Sequence, residues 1–345
     1  MKKAAFSLLF TFLSAPSLAI ENGTSVVWTE MDDVVNADCT GTVIAGKYVL
    51  SAAHCHNDSM ILFAEANTYQ FITDKDKVRY WDGTSLGQER DVAFWTLPKH
   101  ALTTSIHYFA DLNSDPTTYG ETVRVFGFGG TGSQLNYATY EVSDENHIAN
   151  PNENYLIEGK FLGLGDTVGG DSGGPYLNKQ NQIIGIHSLS RESTKPGYGY
   201  GYNLHYAKGF ILNTINGWHY PTVVKTNNGL ATIKIQSLHA LGNETDPQNT
   251  MTVSGDVSVL GGSCQTAGVL NAFATCTYEI ESQGGEGTLT LSDTEVITIN
   301  PQEAQPEDNN TGSSSGSSGG GGSLGWMTGL ALLGLTIRRR KVATQ

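Results

Sequence analysis

Basic residues are scarce in this sequence: 20 lysines and arginines stand against 34 aspartates and glutamates, for a formal net charge of −14. So acidic a surface repels polyanions, which excludes nucleic acid and anionic membrane faces as partners of the folded chain. Long apolar runs are lacking too. Residues 4–13 and 324–337 are the two candidates, and both fall short of the roughly 20 residues that cross a bilayer with ease. Helical periodicity is rare, and the four cysteines are too few for a small scaffold held mainly by disulfides.

What is present at the ends reads as sorting information. Residues 1–19 carry Lys2 and Lys3, then the apolar run, then Ser17, Leu18 and Ala19. A basic start, a short apolar centre and small residues at the cleavage point make an export signal, not an anchor. Cleavage after Ala19 leaves a chain that begins Ile20-Glu21-Asn22-Gly23. At the other end, residues 301–323 form a Gly/Ser-rich linker too polar to bury a core. Residues 324–345 join a short apolar span to Arg338, Arg339, Arg340 and Lys341. Such a span must thin the bilayer or borrow its glycine-rich flank, and its basic cluster stays cytoplasmic. This combination resembles the bacterial GlyGly-CTERM sorting tail. The resemblance implies removal of the span by a rhomboid-type intramembrane protease alongside type II secretion, so that the membrane is touched only before processing; a plain C-terminal anchor is the alternative.

The length between these ends exceeds one ordinary core. Short β-branched runs punctuated by glycine and asparagine, such as 42–52 and 182–190, predict an all-β, mostly antiparallel protein. One helix is predicted, over 203–217, closing the first region before Tyr220 and Pro221. From Thr222 the alternation over 231–237, 251–260 and 288–299 predicts a small Ig-like β-sandwich spanning 222–300. An even cysteine count in an exported chain predicts two bridges, Cys39–Cys55 and Cys264–Cys276, each pair lying within one expected domain. No cofactor or metal is called for. Cys55 and His56 alone do not make a zinc site, and "TDKDK" at 73–77 reads as solvated surface before it reads as a calcium loop.

The chemistry is concentrated at "DTVGGDSGGP", residues 166–175. A serine hydroxyl is a poor nucleophile at its free pKa. Acyl transfer with it needs an imidazole base, a carboxylate to orient the base, and N–H groups to hold the oxyanion. Ser172 is the candidate nucleophile, and the N–H groups of Gly170 and Ser172 are the candidate oxyanion donors. "SAAHC" offers His54 as the base, pinned by the expected Cys39–Cys55 bridge. "ERDVAFWTL" offers Asp91, a carboxylate followed at once by an apolar run.

"SAAHC", "DVAFWTL" and "GDSGGP", in that order, resemble the three signature blocks of the chymotrypsin/trypsin-like serine proteases, over about residues 20–219. With the tail, the chain resembles exported trypsin-like proteases of the Vibrio type. The resemblance implies two six-stranded antiparallel β-barrels with the site between them. It implies His54 as general base, Asp91 as its orienting partner and Ser172 as nucleophile. It also implies an inward-turned Ile20 amino terminus paired with Asp171, which explains the "IENG" start; alternatively, Ile20 is merely the first residue after a signal. The pocket base six positions before the nucleophile is Asp166, which implies protein or peptide substrates cut after Arg or Lys unless Asp166 is a solvated turn residue. Ser188, Ser190 and Gly197 are the other expected pocket residues. The chain departs from the family at Val168, where a cysteine is usual, and at Leu189 and Ser190, where an aromatic residue and a glycine are usual. Those departures leave open the same chemistry with apolar or small-residue preference. A different class of function, a non-catalytic binding or adhesion protein on a protease scaffold, is disfavoured because no triad residue is missing. The expected location is outside the cell or on its surface, reached through the periplasm with signal peptidase as the processing partner.

Overall fold

The structure, a computed structural model, describes residues 20, 22–55, 59–64, 69–74, 78–81, 90–129, 134–143, 155–163, 165–190 and 197–302. The expected signal, Glu21, His56, residues 75–77 of the "TDKDK" segment, the linker from residue 303 and the tail lie outside these. The chain divides into two units, Met1–Gln302 and Glu303–Gln345, and every described residue belongs to the first. Among the described residues no helix is long and apolar enough to cross a membrane.

The protein is mostly β, as glycine-punctuated, β-branched runs require. A two-residue strand β1 (Thr24–Ser25) precedes β2 (Val34–Asn36), β3 (Thr40–Ile44), β4 (Tyr48–Ser51), β5 (Ser59–Ala64), β6 (Tyr69–Asp74), β7 (Val78–Tyr80) and β8 (Ala93–Thr96). The last seven form one antiparallel sheet in the order β6-β5-β2-β3-β4-β8-β7. Its outer strands β6 and β7 are not paired with each other among the described residues. β9 (Thr122–Gly127), β10 (Asn136–Ser143), β11 (Leu156–Phe161), β12 (Pro175–Leu177), β13 (Ile183–Ser190) and β14 (Tyr198–Asn203) form a second sheet. It runs β10-β11-β14-β13-β12-β9 and closes through β9–β10 into a six-stranded barrel, with β1 added against β10. Along β10, Asn136, Ala138, Tyr140 and Val142 are buried and alternate with partly or fully exposed residues, the period-2 pattern of a strand with one face in a core.

Helix α1 (Leu204–Ile215) follows, slightly shorter than the expected 203–217. Asn203 caps it by accepting the His205 N–H, and Asn216 ends it in a left-handed conformation. Its buried residues Leu204, Ala207, Ile211 and Ile215 belong to the barrel core.

Beyond α1 come β15 (Trp218–His219), β16 (Val223–Val224), β17 (Leu230–Ser237), the one-turn helix α2 (Pro247–Thr250), β18 (Thr252–Gly255), β19 (Ser258–Gly261), β20 (Thr275–Glu281), β21 (Gly287–Ser292) and β22 (Glu295–Ile299). They form two four-stranded sheets, β15-β17-β20-β19 and β16-β22-β21-β18. Ile233, Ile235, Tyr278 and Ile280 of the first share one buried cluster with Leu289, Leu291, Ile297 and Ile299 of the second, and the Cys264–Cys276 disulfide lies in it. Two local expectations differ. The run 251–260 is two strands, because Gly255 takes a positive φ of 70° and turns the chain between them. The run 288–299 is a hairpin turning at Asp293 and Thr294. β16 joins β22 in parallel.

Trp218 and Tyr220 already belong to the C-terminal cluster. Buried His219 stitches the two regions. Its Nδ1 accepts from the Ala45 N–H at 2.9 Å, and its Nε2 donates to the His107 carbonyl at 2.9 Å. Gln236 of β17 does the same work with its amide: Nε2 donates to the carbonyls of Phe109 and Phe273, and Oε1 accepts from the Phe109 N–H at 3.0 Å.

Candidate active site

After β4 the chain makes a short 3-10 turn, Ala53–Cys55, that carries His54. The Cys39–Cys55 disulfide fastens this turn to the loop before β3. The donor atoms of Cys39, His54 and Cys55 cluster as a metal site would, but the disulfide consumes both thiolates, so they do not fit a metal ion.

Asp91, buried just before β8, holds the imidazole. Its Oδ1 accepts from the His54 backbone N–H at 2.8 Å, and its Oδ2 lies 2.6 Å from His54 Nδ1. A carboxylate at Nδ1 fixes the proton there and leaves Nε2, on the outward half of the ring, as the acceptor. The Asp91 hydrogen bond raises the His54 pKa above its ordinary value, against the opposing effect of burial. Ser188 of β13 adds a third donor, its hydroxyl 2.6 Å from Asp91 Oδ2. The neighbouring His187 is buried and stacked on Tyr176; burial, aided by the charge of His54, pushes its imidazole down to about 3. It stays neutral and is part of the scaffold.

The turn carrying Ser172 is shaped by glycine. Gly170 and Gly173 have φ of 103° and 82°, a region that residues with a side chain rarely enter. A Cβ on Gly174 would strike the Phe126 carbonyl, so this turn is pressed onto β9. Thr40 grips it twice: its N–H donates to the Ser172 carbonyl and its hydroxyl to the Gly170 carbonyl, both at 2.9 Å. With those carbonyls held by Thr40, no acceptor among the described residues takes the N–H of Gly170 or Ser172. The Ser172 hydroxyl donates to the Ser188 carbonyl at 3.3 Å, and not to His54. Ser188 therefore touches Asp91 with its side chain and Ser172 with its main chain, bringing His54, Asp91 and Ser172 to one place.

Asp171, beside Ser172, is wholly buried. Its oxygens accept from the N–H groups of Gly129 at 2.7 Å and Val168 at 2.8 Å. Burial raises its pKa to about 6 despite those two bonds. Ile20 is likewise buried, packed against Gly23 and Gly165. In the uncut chain the Ile20 nitrogen is part of a peptide bond, so it has no charge to offer Asp171.

Asp166, half-buried, has its Oδ1 bonded by the Tyr140 hydroxyl at 2.9 Å and by the Thr167 N–H at 2.8 Å. Ser190 lies opposite Gly199 across β13 and β14, with a bulge between His187 and Leu189. Gly197 stands further out, its carbonyl accepting from the Phe161 N–H. The residue paired with Ser190 is thus Gly199. Sequence reasoning also missed the grip of Thr40, the Ser188 hydroxyl on Asp91, and Tyr140. Only Tyr140 had a signal, as an inward position in the alternating run of β10.

Residues 23–211 match the family described as Trypsin. The chain is 28% identical over 172 residues to snake venom serine protease BthaTL of Bothrops alternatus, covering 42% of this chain and 72% of that one. It is 28% identical over 179 residues to trypsin I-P1 of Gallus gallus, covering 46% and 72%. The solved structure of VesB protease from Vibrio cholerae aligns over 81% of this chain and 98% of its own, with 19% identity and a TM-score of 0.46.

Proposed function

The chain belongs to the trypsin family, and from that premise we propose that it is a secreted serine endopeptidase that cuts protein or peptide substrates after Arg or Lys. The observation that carries the reading is the convergence of His54 and Ser188 on Asp91, with Ser172 bonded to the Ser188 carbonyl.

In this mechanism His54 Nε2 takes the Ser172 proton as Oγ attacks the substrate carbonyl. Asp91 holds the ring and stabilises the imidazolium, and the N–H groups of Gly170 and Ser172 receive the oxyanion. His54 then protonates the leaving amine, and water hydrolyses the acyl-enzyme by the reverse relay. The bond from Ser172 to the Ser188 carbonyl does not oppose this, since nucleophile–base contacts tighten when substrate excludes water. Asp166 takes the basic side chain, since a desolvated carboxylate favours a paired cation.

Asp171 supports the activation reading. A buried carboxylate pushed up to about 6 has no cation partner among the described residues, and the Ile20 ammonium freed by cleavage after Ala19 would supply one. The cut by signal peptidase then itself creates the activating terminus. We further assign residues 20–219 to the protease domain, with β2–β8 as its second barrel, 222–300 to an Ig-like sandwich, 301–323 to a linker, and 324–345 to a GlyGly-CTERM-like tail. The tail would be processed by a rhomboid-type protease on a type II secretion route, leaving the enzyme outside the cell or on its surface.

Ser172→Ala should abolish hydrolysis of Arg and Lys peptide amides, while Asp166→Ala should keep the catalytic apparatus and lose most turnover of these substrates. Equal turnover of apolar and basic substrates by the unaltered enzyme would refute the specificity. Turnover that survives Ser172→Ala would refute the mechanism.

A further inference from the structure

We propose that Tyr140 sets the preference of the Asp166 pocket by leaving only one carboxylate oxygen for the substrate, so that lysine is favoured over arginine. This rests on the reading of Asp166 as the pocket base.

Tyr140 points into the barrel from β10 and has no exposed surface. Its side chain crosses two glycines paired between β11 and β14. A Cβ on Gly159 would lie 2.9 Å from that of Tyr140, and one on Gly199 would lie 3.3 Å from the ring. Both positions must stay bare for the phenol to reach Asp166. Its hydroxyl donates to Asp166 Oδ1 at 2.9 Å, and the same oxygen accepts from the Thr167 N–H at 2.8 Å. The Thr167 N–H also leans on the tyrosine oxygen at 3.1 Å, which fixes the phenol in place. Burial raises the Tyr140 pKa further above its ordinary range, so the hydroxyl remains a donor at any pH where the enzyme works.

A carboxylate oxygen offers two lone pairs, and those of Oδ1 are both taken. Oδ2 has no partner among the described residues. A guanidinium gains its advantage from two parallel bonds to two free carboxylate oxygens, whereas an ammonium is a point charge that one oxygen satisfies. Because Tyr140 acts from behind the carboxylate, it is a positioning residue: it decides which oxygen faces the substrate without lining the space that the substrate enters.

The test is kcat/KM for paired peptide amides that differ only in Lys or Arg before the cut bond, using the exported, processed protein, Tyr140→Phe and Asp166→Ala. The unaltered enzyme should favour Lys. Tyr140→Phe frees one lone pair and should move the Lys-to-Arg ratio towards Arg by about tenfold. Each ratio is taken within one preparation, so a loss of folded enzyme cancels. An unaltered enzyme that favours Arg, or a ratio unmoved in Tyr140→Phe while Asp166→Ala loses both activities, overturns the role of Tyr140 and leaves the pocket intact. Retention of both activities in Asp166→Ala overturns the pocket reading and this inference with it.

Discussion

Three donors converge on Asp91: the His54 backbone, the His54 ring and the Ser188 hydroxyl. Together they fix the carboxylate and, through it, the direction of Nε2. Because the proposed base His54 must be neutral to accept a proton and its pKa is raised, kcat/KM should fall on the acid side with a midpoint above 6.5. Asp91→Asn should lower kcat by roughly 10⁴-fold, the usual cost of the wrong tautomer. A pH–rate profile of both proteins checks the two outcomes, and a mutant that kept most of its rate would contradict the assigned role. His54, Asp91 and Ser172 are legible in the sequence because each needs particular neighbours: a cysteine to pin the turn, an apolar run to bury the carboxylate, glycines to let the backbone close in. Thr40, Ser188 and Tyr140 act across strands, so no neighbour in sequence marks their partners; the alternation of β10 marks Tyr140 only as an inward position.

The strands set what surrounds these residues. β13 and β14 meet with a bulge after His187, and that one extra residue decides that Ser190 faces Gly199. Short runs of sequence show that a strand exists; they do not show a bulge, and this is why 182–190 is legible as a strand while its register with β14 is not. The turns at Gly255 and at Asp293 were hidden in the same way inside runs that alternate on both sides. The proposed pairing of Asp171 with the Ile20 terminus belongs to the same scale. In the uncut chain the Asp171 pKa is raised from 3.8 to about 6. The fold then binds that proton more tightly than the unfolded chain, so the contribution is complete below about pH 4 and is lost as pH rises through about 6. The loss amounts to about 3 kcal/mol. Urea unfolding of Ser172→Ala with residues 1–19 retained should therefore show falling stability over this window. The same protein beginning at Ile20 should lose less over this window, because its ammonium pairs with Asp171. Identical pH dependence in the two forms would contradict the activation pair.

On the scale of the whole molecule, the β sheets after α1 are bound to the region before them by buried polar contacts and not by apolar packing alone. Gln236 satisfies the Phe109 N–H and two carbonyls. Gln236→Ala should destabilise the protein by about 1–3 kcal/mol, because it strands buried backbone groups. Thermal unfolding checks this, and an unchanged midpoint would contradict it. Close by, Asp33 overrides the lowering effect of burial and raises the His107 pKa. That pair stabilises the protein fully below about pH 6.5, and its contribution is lost as pH climbs past the raised value. The composition pointed to two β regions, but the seam between them was not legible, since His219 and Gln236 carry no local pattern. The account as a whole stands on one claim, that Ser172 cuts chains at basic residues selected by Asp166. Its most direct test is the cleavage profile of the exported protein on a mixed peptide library, run beside Ser172→Ala. Cuts confined to bonds after Lys and Arg, and absent from the variant, are predicted; cuts spread over other residues, or surviving the loss of Ser172, would contradict the account.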